Sequence, residues 1–483
     1  MADTVNLFAL LQQHAAAHPE RSAIATTDLQ INYGELPGRI ASVAAGLRVQ
    51  GFESGGMTGV AVLDDVQHML LTMALMCMGT PHISLWATDA NPLLERKADK
   101  LQIRQLIHET GQPHGLLARE EITGFELRPA SEGVDEATQW LAAHEQSLDA
   151  MVCYRSTSGT TGDPKIFGSV LANSLEHASL FASEPGKACV LRTGRCEHDA
   201  NRLHNVGVLL GGQTLPVLFP FTAERLAPFC EAYGVTEVQA GPLRLVSLLD
   251  SEPDEGFKLP PGTRWISGGI RVPGPLRFEV MKRLTTELYV LFATSEAFAI
   301  SQATPDEHER WPEGVGHPMP GVEVELRDAA GSPVPRGEVG ELWVRRQGVP
   351  GDGTIEKPGW HCTGDLMSWP EDGPLIFHSR ADDMMIMNGI NIFPGPIEDA
   401  LLEHEEVSEA LAFPLESRLH GQIPVAAVVL KQGGEVAAAT LVKYARDKLG
   451  KLAPRKIVIL DEIPRTSLGK PRPLELQAAM RAG

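Results

Sequence analysis

Asp149-Ala-Met-Val-Cys-Tyr-Arg-Ser156 runs without a break into Thr157-Ser158-Gly159-Thr160-Thr161-Gly162-Asp163-Pro164-Lys165. The first half reads as a buried strand. The second is a turn rich in glycine and hydroxyl side chains. Glycines let backbone N–H groups approach a phosphate closely, hydroxyls donate to its oxygens, and a lysine offsets its charge. The spacing is not that of a Walker A loop, which requires GxxxxGK[ST]. A flexible surface loop is the competing reading.

Upstream of this stretch, helical and strand-like patterns alternate. Leu7 to Ala17, Tyr33 to Gln50 and the run VQHMLLTMALMCMG (66–79) are helix-like, and SAIATT (22–27) and GMTGVAVL (56–63) are strand-like. Such alternation predicts an α/β layout with mostly parallel sheets. Residues 134–149 read as a polar, acidic helix or linker. Downstream the alternation continues to about residue 300, and VEVELRD (322–328) and GELWVRR (340–346) make residues 321–347 β-rich. At about Ser379 the character changes. IEDALLEHEEV (397–407) reads as a helix, SEALAFPL (408–415) and IPVAAVVLK (423–431) as strands, AAATLVKYARDKLG (437–450) as a one-sided apolar helix, and KIVILDEI (456–463) as a last strand. A large multi-layer N-terminal domain with a β-rich subdomain, residues 1–379, and a small α+β C-terminal domain, residues 380–483, are therefore expected.

Composition narrows the functional classes. At 43% hydrophobic and 22% charged, the chain reads as an ordinary globular protein. A net charge of -20 argues against nucleic-acid binding, which needs a basic surface to neutralise phosphate. The six cysteines form no CxxC pair and the histidines no HExxH, so a zinc site or a disulfide framework is not expected and a reducing compartment fits. The N-terminus has no basic region of the signal-peptide type. The longest apolar run, Met69 to Met78, is far short of the ~20 residues of a membrane span. A cytoplasmic protein with no membrane span is the expectation.

Three more segments carry chemistry. Thr363-Gly364-Asp365 places an acid after a glycine turn, where it can accept two hydrogen bonds from a ribose diol. A plain β-turn is the competing reading. Ser379-Arg380-Ala381-Asp382-Asp383, followed by Asn388-Gly389 and Pro394, reads by itself as a charged linker. Pro464-Arg465-Thr466-Ser467-Leu468-Gly469-Lys470 puts one lysine after a glycine near the C-terminus, where a solvated lysine is the plain reading.

Taken in order, these four segments resemble the acyl-adenylate-forming superfamily, which includes acyl- and aryl-CoA synthetases, adenylation domains of non-ribosomal peptide synthetases and beetle luciferases. The resemblance covers nearly the whole chain. It extends to the opening HPERSAIATTDLQINYGEL (18–36), with the family's Tyr-Gly-Glu-Leu segment. The resemblance implies an ATP- and Mg²⁺-dependent ligase that converts a small carboxylic acid to its acyl-adenylate and passes the acyl group to a thiol. That thiol would belong to CoA or to the phosphopantetheine of an acyl carrier protein.

It also implies roles. Thr157, Ser158, Gly159, Thr160, Thr161, Gly162 and Lys165 would hold the β- and γ-phosphates. Phe292-Ala293-Thr294-Ser295-Glu296 is similar to the family's Tyr-Gly-x-Thr-Glu segment, so Ser295 would contact the α-phosphate and Glu296 would hold Mg²⁺. Gly269, Ile270 and Arg271 would line adenine. Asp365 would bind the ribose, Arg380 would contact the nucleotide, Asp382 would be the hinge, and Lys470 would reach both reacting anions during adenylation. Phe292-Ala293 replaces Tyr-Gly, Ile270-Arg271 replaces Ala-Pro, Ile166 replaces a glycine, Ile386 stands where lysine is frequent, and Asn388 replaces one of two glycines.

Counting back from Leu209-Leu210-Gly211-Gly212, the acyl pocket aligns with His198, Asp199, Ala200, Leu203, Ser267, Leu291 and Ala299. A histidine at 198 fits a CoA ligase. An aspartate at 199 fits an enzyme that loads an amino or related acid onto a carrier protein. A buried carboxylate needs a cationic partner. The candidates are a substrate amine, Arg195 and Arg202, and a solvated Asp199 is the plain alternative. A nucleotide-binding protein without catalysis is a third reading, against which the retention of Glu296, Asp365 and Lys470 counts.

Overall fold

The computed structural model describes residues 4–86, 89, 91–112, 114–156, 166–182, 189–251, 259–294, 297–346, 360–417, 419–465 and 471–482. They fall into two units, one holding the described residues of 1–240 with 259–264, the other those of 241–251, 265–346 and 360–482.

The first unit begins with helix α1 (Leu7–Ala17), whose start is fixed by Asn6. Its Oδ1 accepts the Ala9 N–H at 2.7 Å. Helix α2 (Leu36–Val49) follows, then strand β1 (Thr58–Ala61) and helix α3 (Asp65–Cys77). Asp64 caps α3 by accepting from Gln67 N at 2.8 Å. Every residue from His68 to Cys77 is buried, which explains why its apolar run has no polar face. Strands β2 (His82–Ser84), β3 (Gln105–Glu109) and β4 (Thr123–Leu127), helix α4 (Val134–Ala142), and strands β5 (Met151–Ser156) and β6 (Ile166–Val170) come next. The sheet order is β6-β5-β2-β1-β3-β4. All neighbours are parallel except β6, which runs antiparallel to β5. Helix α5 (Asp199–Leu210) packs its apolar side into the same core as α1, α2 and α3.

In the second unit the expected parallel arrangement gives way. Strand β7 (Arg264–Gly268), helix α6 (Gly274–Arg283), and strands β8 (Leu288–Thr294), β9 (Phe298–Ala303), β10 (Gly314–Pro318), β11 (Val322–Arg327), β12 (Val339–Arg346), β13 (His361–Ser368) and β14 (Leu375–Arg380) lie side by side in the order β7-β8-β9-β10-β14-β13-β12-β11. Only β7 and β8 are parallel, and a helix connects them. The connections from β8 to β9 and from β13 to β14 are too short for the crossover of a dozen or more residues that parallel strands require. Ala297, Ile300, Leu342, Met367 and Leu375 form the core of this part.

The C-terminal segment builds a sheet of its own from β15 (Met385–Met387), β16 (Ile390–Ile392), β17 (Val407–Ser417), β18 (Gly421–Leu430) and β19 (Lys456–Leu460). The order is β16-β15-β18-β17, with β19 parallel to β18. Helix α7 (Pro394–Leu402) and helix α8 (Ala438–Leu449) cover it, around a core of Ile397, Leu401, Ala426, Val428 and Leu441. Helix α7 ends five residues before the expected Val407, which instead opens β17. No described helix is long and apolar enough to cross a membrane. The six cysteines are free thiols, five of them buried and Cys362 partly exposed.

Candidate active site

Asp365 and Arg380 lie 15 residues apart in sequence but face each other across β13 and β14, in register. Arg380 Nη1 donates to Thr363 O at 2.6 Å and lies 3.3 Å from Asp365 Oδ1. Gly364 makes this possible. Its φ is +73°, and a Cβ there would come within 2.9 Å of the Arg380 guanidinium. Asp365 is only 5% exposed. Burial pushes its carboxyl above the usual carboxylate range, with Arg380 acting against the shift. Arg380 is half exposed and reaches Asp382 at 3.4 Å, while Asp382 itself is 77% exposed. A buried carboxylate beside a half-exposed guanidinium offers an acceptor and a donor to one polar ligand.

Of the other residues expected at the nucleotide, Phe292, Ala293, Thr294, Gly269, Ile270 and Arg271 lie in the same unit. Phe292, on β8, packs against Phe377 of β14 with ring centroids 6.2 Å apart. Ala293 is exposed, and Thr294 Oγ1 accepts the Ala297 N–H at 3.0 Å. Gly269 and Ile270 form the turn after β7, with φ +87° at Gly269. The Arg271 guanidinium is held by three carboxylates, Glu313, Glu398 and Asp399. Ser295, Glu296 and Lys470, and the phosphate-loop candidates Thr157, Ser158, Gly159, Thr160, Thr161, Gly162 and Lys165, lie outside the described residues. The strands on either side of that loop pair with each other, Ser156 opposite Ile166.

The pocket candidates divide between the units. Ser267, Leu291 and Ala299 sit on the neighbouring strands β7, β8 and β9, and the buried Ser267 Oγ has no hydrogen-bond partner among the described residues. In the other unit His198, Asp199, Ala200 and Leu203 belong to the start of α5 and its cap. His198 stands edge-on to Trp86 at 4.9 Å, and burial lowers its pKa. Asp199 has an internal partner. Its Oδ1 accepts from Arg202 Nη2 at 2.8 Å and its Oδ2 from the Ser156 N–H at 2.9 Å. Arg202, 1% exposed, also donates to Tyr154 O at 3.0 Å and to Ser84 Oγ. Ser84 in turn meets His68 Nε2 at 2.9 Å. Sequence reasoning missed Ser84 and His68, because nothing in their local pattern distinguishes them from ordinary core neighbours. The network ties the last residue before the glycine-rich loop to helix α5. Among the described residues no group of three or more acidic, histidine or cysteine side chains is placed to hold a metal.

Comparisons with known proteins agree with this architecture. The medium/long-chain-fatty-acid–CoA ligase FadD8 of Mycobacterium tuberculosis is 27% identical over 71% of this chain, which spans 63% of that protein's length. A 2-succinylbenzoate–CoA ligase of Bacillus cereus is 26% identical over 95% of this chain and 96% of its own. Among solved structures, the o-succinylbenzoate CoA synthetase of Bacillus subtilis in complex with its acyl-adenylate intermediate superposes with a TM-score of 0.82 at 21% identity, covering 98% of both chains. The amide bond synthetase McbA of Marinactinospora thermotolerans does so at 0.80 and 23%, over 98% of this chain and 99% of its own. At those identities the likeness is one of fold. The AMP-binding enzyme model matches residues 11–350 and the model of the AMP-binding enzyme C-terminal domain residues 396–470, and the chain therefore belongs to the AMP-binding enzyme family.

Proposed function

We propose that the chain is a cytoplasmic acid–thiol ligase that adenylates a small carboxylic acid with ATP and transfers the acyl group to CoA. The observation that carries this reading is the buried Asp365 set opposite Arg380 across a glycine turn, in a chain of the AMP-binding enzyme family. A carboxylate with little access to water binds a diol more strongly than a solvated one, because each O–H donated to it relieves an under-solvated charge. Arg380 adds a donor on the same face. Phe292 and Phe377 supply an apolar platform suited to a purine.

In this reading Glu296 would hold a Mg²⁺ ion, which would supply charge neutralisation of the triphosphate alongside the 157–165 loop, and the substrate carboxylate attacks the α-phosphorus. Ser295 and Lys470 steady the same phosphate and the incoming carboxylate. Pyrophosphate leaves, the thiol attacks the mixed anhydride, and AMP leaves. Residues 380–483 form the mobile domain, with Asp382 in the exposed turn between β14 and β15 as its hinge. The acceptor and acid class are read from the relatives, which are named as CoA ligases for fatty acids and for 2-succinylbenzoate. The engagement of Asp199 by Arg202 and Ser156 supports an acid without an amine at that point, and so favours a CoA ligase over an enzyme loading an amino acid onto a carrier protein.

The test is pyrophosphate release over a panel of fatty, aryl and amino acids, with CoA present and absent. CoA-dependent turnover of a non-amino acid is the expected result. Release confined to amino acids, or turnover only with a phosphopantetheinylated protein, would overturn it.

A further inference from the structure

Arg271 leaves β7 in the turn before α6 and reaches helix α7 of the C-terminal segment. Its Nε and Nη2 donate to Glu313 Oε2 at 3.0 and 2.7 Å, its Nη1 lies 3.4 Å from Glu398 Oε2, and its Nη2 meets Asp399 Oδ2. Each glutamate anchor is itself tied down. Glu313 Oε1 accepts the Gly274 N–H at the start of α6, and Glu398 Oε1 accepts the Ala412 N–H of β17. Gly395, in the first turn of α7, leaves the room: a Cβ there would lie 3.2 Å from the guanidinium. All four charged side chains are largely buried, and among the described residues Asp399 Oδ1 has no hydrogen-bond partner. One cation thus joins α7 to the sheet that also carries Asp365 and Phe292, and three carboxylates compete for it.

We propose that Arg271 is a positioning residue that docks α7 onto the body of this unit, and that the surplus of carboxylates around it keeps the docking releasable. A buried charge left without its partner is costly, so the guanidinium holds the docked pose. The extra carboxylates, one of them with an unsatisfied oxygen, gain solvation when α7 leaves, and this lowers the cost of release. The inference rests on the ligase reading, in which the C-terminal domain must move between the two half-reactions.

Two substitutions act in opposite directions. Arg271→Ala leaves three carboxylates facing each other and undocks α7. Asp399→Asn removes one surplus charge while keeping an oxygen to accept from Arg271, and docks it more firmly. The ratio of adenylation (pyrophosphate release without thiol) to thiol transfer from supplied acyl-adenylate should shift one way in the first by roughly a hundredfold or more, the scale of a buried ion pair broken by deleting one partner, and the other way in the second by about tenfold.

A pH profile adds a readout that a merely structural role would not move. Around Asp399 stand Arg271 and Glu398, Glu313 with Arg277 and His378 near it, and Asp383 facing Glu398. Burial, with Glu313 and Glu398 adding to it and Arg271 opposing, pushes Asp399 up to about 7 in the docked pose, against the ordinary carboxylate value once released. The docked pose therefore binds the proton more tightly. Docking is strongest in acid and weakens as pH rises to about 7. Asp399→Asn should flatten this dependence.

Fluorophores on Val339→Cys and Leu419→Cys, both exposed, in a Cys362→Ser background, report docking by distance without relying on activity. If Arg271→Ala does not fold, Arg271→Lys replaces it and should shift both readouts in the same sense by less. Equal or like-signed effects of the two substitutions on the half-reaction ratio and the label distance would overturn the proposal. If the wild type releases no pyrophosphate with any acid, the ligase reading fails and the label distances alone decide the docking.

Discussion

Replacing Asp199 with alanine separates a structural aspartate from a substrate-binding one. The side chain is 7% exposed and its two oxygens are taken by Arg202 and by the Ser156 N–H. Removing it strands a guanidinium that is 1% exposed and a backbone donor at the mouth of the 157–165 loop. Breaking a buried pair by deleting one partner costs ~3–5 kcal/mol. For a unit of this size each kcal/mol lowers the melting temperature by roughly 2–4 °C, so the first unfolding transition should fall by roughly 6–20 °C. Because Ser156 leads directly into the phosphate-loop candidate, KM for ATP should rise too. Asp199→Asn keeps an acceptor for Ser156 and should cost distinctly less. The assay is thermal unfolding with and without ATP, paired with adenylation of an amino acid and of the same acid lacking its amine. A melting temperature unchanged in Asp199→Ala, together with a selective loss of activity on the amino acid, would refute the internal ion pair and restore the substrate-amine role.

Asp365→Ala should raise KM for ATP by roughly ten- to a hundredfold, the worth of hydrogen bonds to a charged acceptor, and the penalty should shrink when 2′-deoxy-ATP is the substrate. An equal penalty with both nucleotides would detach Asp365 from the ribose. Lys470→Ala should abolish adenylation but leave thiol transfer from supplied acyl-adenylate largely intact, and a mutant forming adenylate at the parent rate would remove Lys470 from the mechanism. Asp382→Pro, which fixes φ in the exposed turn, should slow thiol transfer more than adenylation. Single-turnover rates for the two steps check this, and no loss in either would move the hinge elsewhere.

The sequence by itself determined the order and kind of the elements. Local periodicity and capping are short-range properties, so α1, α3, β5 and the C-terminal α+β segment were legible within a few residues. So was membership of an adenylate-forming family, because glycine turns, hydroxyl-rich loops and a lone late lysine are themselves local chemistry. Tertiary structure alone decided the partners. It showed that much of the second unit's sheet is antiparallel, because strand direction depends on which neighbours the short connections allow. It paired Asp199 with Arg202 rather than with Arg195, and drew Ser84 and His68 into the same network. It turned the Arg271 side chain toward Glu313, Glu398 and Asp399, which lie 42 to 128 residues away in sequence. A buried charge takes whichever opposite charge the fold brings within hydrogen-bonding reach, and that distance is set by the packing of elements remote in the chain.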